Sequence, residues 1–267
     1  MLISVNNVNY HVEVIGEGEP LLLLHGFTGA GSNWKECITH IERNFKFILI
    51  DLIGHGRTES PENVSRYQIQ QVHSDIIEIM DYLEVRKAHL LGYSMGGRVA
   101  LSLAISYPER FLNLILESSS PGIEDKKARD ERKAADEKLA EFIEKKGIAD
   151  FVTYWEDIPL FLTQKLLPQS VQLSIHNQRL TNNPVGLANS LKGMGTGVQP
   201  SYWNNLCKLD INTLLLCGEK DSKFCEIADQ MSKFIKNSEL KKISGVGHAI
   251  HVEQPRIFGK IINEFLS

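Results

Sequence analysis

A chain of 267 residues is long enough for one large α/β domain or two small ones. With 42% hydrophobic and 23% charged residues and only 9 prolines it has material for a sizeable core, which excludes a disordered or collagen-like chain. The 29 basic and 33 acidic side chains leave a formal net charge of −4, so bulk electrostatics favours neither nucleic acid nor an anionic membrane as partner. Affinity for an acidic ligand has to come from a few placed cations.

The four cysteines, Cys37, Cys207, Cys217 and Cys225, are scattered. They show neither a CxxC pair nor a metal-ligand cadence, so reduced packing thiols are expected. The N-terminal stretch has no basic n-region followed by an apolar h-region, and no apolar run approaches the roughly 20 residues needed to span a bilayer. The expectation is a soluble, cytoplasmic protein, with a monomer favoured.

In chain order, Val8, Tyr10, Val12 and Val14 alternate behind a turn signal at Asn6-Asn7, the pattern of an antiparallel hairpin at a sheet edge. Short continuous apolar runs follow at 21–24, 47–50, 88–91, 112–116 and 211–217; continuous rather than alternating runs predict strands covered on both faces, hence a parallel sheet. Helical stretches at 69–83, 95–107, 224–235 and 255–266 separate them, which predicts an α/β fold with helices on both sides. From about 121 to 200 no such run occurs. Glu124 to Lys146 instead holds eight acids and eight bases and is helical by propensity, and shorter amphipathic pieces follow, broken by Pro159, Pro168 and Pro184. The expected division is an α/β core of residues 1–120 and 201–267, with a helical lid of residues 121–200 inserted over the sheet.

The strongest chemical signal is Gly92-Tyr93-Ser94-Met95-Gly96-Gly97, directly after one apolar run and before a helical pattern. This is G-x-S-x-G at a strand-to-helix turn, where the serine projects from a sharp bend as a nucleophile. The Met95 N–H, at the helix start, would face a developing oxyanion. Such an elbow requires a second oxyanion donor from an earlier loop, then an acid and a histidine later in the chain. Leu24-His25-Gly26-Phe27-Thr28-Gly29 supplies the loop, with the Phe27 N–H as donor and His25 as a support. Asp221 follows the 211–217 run. It competes with Glu219, and a strand-end acid can simply cap the next helix, as could Ser222. His248, between flexible glycines and the last helix, is favoured as the base over His251 three residues on.

HGFTGAGSNW, DLIGHGRTESP, GYSMGGRVAL, CGEKD and GVGHAIHVEQP together resemble the α/β-hydrolase superfamily over essentially the whole chain. Within it the sequence is similar to the 2-succinyl-6-hydroxy-2,4-cyclohexadiene-1-carboxylate synthases of menaquinone biosynthesis. That resemblance implies an α/β-hydrolase fold, a mostly parallel central sheet flanked by helices with a helical lid inserted. It also implies a carbon–oxygen lyase that eliminates pyruvate from 2-succinyl-5-enolpyruvyl-6-hydroxy-3-cyclohexene-1-carboxylate through Ser94, Asp221 and His248. The resemblance further implies a small polycarboxylate substrate with Tyr93 and Trp155 around it, and neither a metal nor an organic cofactor.

Three arginines bear on that substrate. Arg98 is one turn beyond Ser94 on a helix that is apolar all round, so its guanidinium must be paired or pay heavily for burial. Either an internal carboxylate such as Asp75 or Asp81 satisfies it, or an anionic ligand does. Arg132 falls on the apolar stripe of the charged helix, between Ala128 and Ala135, and so faces the body. Arg179 is assigned mainly by the resemblance. A guanidinium grips a carboxylate with two parallel hydrogen bonds, and three of them fit a substrate with three carboxylates. The rival readings are a serine hydrolase of esters or carbon–carbon bonds, and a non-catalytic ligand receptor on the same scaffold.

Overall fold

The computed structural model describes residues 1–267. Eight strands, β1 (Leu2–Val5), β2 (Val8–Ile15), β3 (Glu19–Leu24), β4 (Phe45–Ile50), β5 (Ala88–Tyr93), β6 (Phe111–Glu117), β7 (Asn212–Gly218) and β8 (Ser238–Ile243), form one sheet. Its order is β1-β2-β4-β3-β5-β6-β7-β8. The β1–β2 hairpin pairs antiparallel with itself and with β4, and every pairing from β4 to β8 is parallel. The Asn6-Asn7 turn has positive φ at both residues, 47° and 61°, as a two-residue hairpin turn demands.

Nine helices accompany the sheet: α1 (Lys35–Ile38), α2 (Ile69–Tyr82), α3 (Met95–Ser106), α4 (Lys126–Glu156), α5 (Gln169–Leu180), α6 (Pro184–Met194), α7 (Ser222–Phe234), α8 (Ile250–Glu253) and α9 (Pro255–Phe265). Strand alternation divides the core between the two faces. Leu22, Leu24, Ile48, Ile50 and Leu90 pack with α2, α3 and α7. Leu21, Leu23, Leu49, Leu91 and Ile115 pack with α1, α8 and α9. Both faces are covered, which is why the parallel strands read as unbroken apolar runs. β8 escaped that reading. Its sequence SELKKI is partly exposed at the sheet edge, and the charges that suit an edge strand erase the apolar signal.

Helices α4 to α6 lie between β6 and β7 as a helical insertion with a small core of its own, in which Ala140, Ile143, Phe151, Val152, Leu187 and Leu191 pack together. The charged run 124–146 does form a helix, capped by Asp125, whose side chain accepts from the Ala128 N–H at 2.7 Å. The helix breaks at Gly147, where φ is 78° and ψ 179°, and resumes at an angle. No helix is long and apolar enough to cross a membrane. All four cysteines are free thiols, and only Cys207 is exposed.

Phe258 of α9 is fully buried beneath the sheet. Truncating it should leave a cavity, and Phe258→Ala is expected to lower unfolding free energy in urea by about 3–5 kcal/mol.

Candidate active site

Three strand ends converge. β5 turns into α3 at Ser94, whose φ of 50° and ψ of −107° lie outside the helical and extended regions. A non-glycine residue held there costs about 1–3 kcal/mol, which the surrounding fold must offset. The turn is possible because its flanks lack side chains. A Cβ on Gly92 would lie 2.4 Å from the Gly96 carbonyl oxygen, and one on Gly96 would lie 2.2 Å from that of Leu24. The Ser94 N–H donates to the Glu117 carbonyl at 2.9 Å, tying the bend to β6.

Asp221, at the end of β7, does two things at once. One carboxylate oxygen accepts from the Phe224 N–H at 3.4 Å as the cap of α7, and the other accepts from His248 Nδ1 at 2.6 Å. Capping and holding the histidine therefore coexist. A carboxylate can only accept, so His248 carries its proton on Nδ1 and Nε2 is left as an acceptor. Nε2 lies 2.9 Å from Ser94 Oγ, and the serine hydroxyl donates to it. Phe224 and Tyr93 flank the His248 ring at 4.7 Å and 5.2 Å between centroids. His251 does not share this site. It donates from Nδ1 to the buried Glu117 carboxylate at 2.8 Å and lies tilted against Trp34, 4.4 Å between centroids, closing the sheet end beneath Tyr93. Burial and the Glu117 charge push the Tyr93 hydroxyl well above the usual phenol range.

On the β3 side, His25 fixes the loop that carries Phe27. Its Nδ1 donates to the Gly26 carbonyl at 2.8 Å and its Nε2 accepts from the Leu52 N–H at 2.9 Å. Burial lowers its pKa and favours this neutral form. Neither the Phe27 N–H nor the Met95 N–H has a hydrogen-bond partner within the protein.

Ser94 and His248 open into a cavity of about 720 Å³ between the sheet end and the insertion, lined also by Phe27, Tyr93, Met95, Arg98, Arg132 and Trp155. Arg98 is buried, and neither Asp75 nor Asp81 satisfies it. Asp75 is taken by Tyr10 and Arg66, and Asp81 by Arg110. Arg98 instead donates to the Met194 carbonyl at 2.9 Å and to Gln199 Oε1 at 2.5 Å. Both acceptors are neutral. Burial, and then Arg132, pull its pKa down to about 10, so it stays cationic at neutral pH. Arg132 donates through Nε to Asp136 at 2.8 Å. Trp155 stacks on Phe151 and meets Phe27 edge-on. Lys223, adjacent to the Asp221 cap, adds a third cation to the lining; its place in a charged, exposed helix start hid it from sequence reasoning.

Arg179 is not brought into this cavity. It lies behind Phe161, with its guanidinium carbon 4.7 Å from that ring's centroid, bonded to Glu156 at 3.2 Å and to Gln164 at 3.1 Å. No group of three or more His, Cys, Asp or Glu side chains is arranged to hold a metal ion.

A strained serine on a strand-to-helix elbow, with an acid and a histidine following in order from later strand ends, has a counterpart in known proteins. A model of the alpha/beta hydrolase fold family matches residues 19–255. The chain belongs to the alpha/beta hydrolase fold family. Within this family, a Bacillus subtilis protein provisionally named a 2-succinyl-6-hydroxy-2,4-cyclohexadiene-1-carboxylate synthase is 47% identical over 249 residues, 93% of this chain and 90% of that one. The synthase of that name from Photorhabdus laumondii is 30% identical over 248 residues, 92% of this chain and 85% of its own. The solved structure of MenH from S. aureus, 38% identical, superposes with a TM-score of 0.91 over 96% of this chain and 97% of that one.

The elbow that the alpha/beta hydrolase fold places here should not tolerate a side chain at its first glycine. In Gly92→Ala the added Cβ meets backbone rather than a movable side chain. We expect a loss of about 1–3 kcal/mol or more in thermal unfolding, together with loss of Ser94 labelling by a fluorophosphonate probe.

Proposed function

We propose that this chain is a lyase of menaquinone biosynthesis, working in the cytoplasm. It eliminates pyruvate from 2-succinyl-5-enolpyruvyl-6-hydroxy-3-cyclohexene-1-carboxylate to leave 2-succinyl-6-hydroxy-2,4-cyclohexadiene-1-carboxylate. The observation that carries this reading is Arg98, a buried guanidinium in the Ser94 cavity whose hydrogen bonds within the protein go only to neutral acceptors. A buried cation hydrogen-bonded only to neutral acceptors, with a single carboxylate shared between it and Arg132 nearby, is costly, and a ligand carboxylate offsets that cost. Two named relatives and one structure support the assignment.

In this reading His248, oriented by Asp221, accepts the Ser94 proton and makes the serine oxygen basic. Ser94 then removes the ring proton at C2, which the neighbouring succinyl ketone acidifies. The electron pair forms the C2–C3 double bond, the old C3–C4 double bond moves to C4–C5, and the C5–O bond breaks. Enolpyruvate leaves, takes up a proton and becomes pyruvate. Backbone N–H groups of Phe27 and Met95 stabilise the negative charge that develops on the ketone oxygen, as an oxyanion hole does in acyl transfer. Arg98 and Arg132 hold substrate carboxylates, Tyr93 and Trp155 wall the pocket, and helices α4 to α6 act as its lid. Arg179 takes the third carboxylate only if Phe161 turns aside and Glu156 releases it.

An ester hydrolase would use the same triad but has no need of Arg98. The purified protein is expected to release pyruvate from the enolpyruvyl substrate and to turn over p-nitrophenyl esters poorly. Arg98→Ala should raise KM for the substrate by roughly 10- to 100-fold, the worth of one charge-assisted contact, with little change in melting temperature. Undetectable pyruvate, or a variant that mainly melts earlier, would overturn the assignment of this cavity.

A further inference from the structure

A cavity read as a polycarboxylate site contains a feature that opposes such ligands: the carboxylate of Asp136, which lines it and is only 3% exposed. Its Oδ1 accepts from Arg132 Nε at 2.8 Å. Its Oδ2 is buried from solvent and has no hydrogen-bond partner. A buried acceptor without a donor is expensive in a folded protein, and two arginines nearby offset its charge without supplying its hydrogen bond. Gly195 packs against that oxygen, and a Cβ there would stand 2.8 Å from Oδ2. Gly195 lines the same cavity.

We propose that Asp136 is a specificity-determining residue that accepts a hydrogen bond from a ligand hydroxyl on Oδ2 while Oδ1 holds Arg132 by its Nε edge. With Nε engaged, the NH1 and NH2 groups of Arg132 remain for a ligand carboxylate, and end-on pairing through two parallel N–H groups suits that geometry. The pair thus reads a hydroxyl and a carboxylate on neighbouring carbons. The substrate proposed above carries that arrangement, a 6-hydroxyl next to the 1-carboxylate, and this inference rests on that reading. The cost of placing a negative charge among the cations becomes selectivity: a ligand lacking the hydroxyl leaves Oδ2 unsatisfied and meets the repulsion without compensation.

The test uses two small dicarboxylates that differ by one hydroxyl, malate and succinate, titrated calorimetrically into the full-length protein. The wild type should bind malate roughly tenfold tighter than succinate, as one charge-assisted hydrogen bond allows. In Asp136→Asn, which keeps an acceptor for Arg132, that preference should shrink to about threefold or less, while succinate binds as well as before or better because a repelling charge is gone. Asp136→Ala serves if the asparagine variant does not fold. Equal affinities in the wild type, or equal weakening of both acids in the variant, would overturn the role of Asp136 and leave the polycarboxylate reading standing. Failure of the wild type to bind either acid would overturn both.

Discussion

Everything at this site depends on one backbone distortion, the turn that forces Ser94 into a conformation neither helix nor strand provides. Three glycines, at 92, 96 and 97, let β5 and α3 approach closely enough to create it. The cost is borne by the parallel sheet, whose buried strands on either side fix the backbone of Leu24 and Glu117 against the bend. Because the bend projects the serine beyond the strand ends, loops from β3, β6, β7 and β8 can reach it without disturbing the core. Chemistry is thereby concentrated where the chain is irregular and stability where it is regular.

The cations belong to a second level of construction. Arg98 is carried by the same helix that the elbow starts, whereas Arg132 comes from the inserted helices, so the cavity closes only when both layers are in place. Neutral hydrogen-bond partners for Arg98, and a single-edge contact for Arg132, leave positive charge available inside the cavity. Arg179 shows the contrasting case, a buried guanidinium already paired with a carboxylate of the protein, Glu156.

Much of this was legible from the residues. The continuous apolar runs identified the parallel strands because both faces of the sheet are covered, and the serine motif was decisive because it falls at a strand-to-helix junction. β8 was not legible, since an edge strand need not be apolar. The partners of Arg98 were equally hidden: Met194 and Gln199 are about a hundred positions away, and nothing in their spacing marks them. Asp136 was lost for a different reason. In a helix with eight acids it looked like one more solvated charge, and only the fold, which sets it beside Gly195, takes it out of water.

The most direct measurement is the rate of pyruvate formation by Ser94→Ala at saturating substrate, alongside calorimetric affinity for the same compound. If the serine oxygen is the base that removes the ring proton, the rate should fall by about 10³-fold or more, with affinity close to that of the unaltered protein. Turnover within about tenfold of the unaltered protein would contradict it, because the elbow would then hold a serine that the reaction does not use.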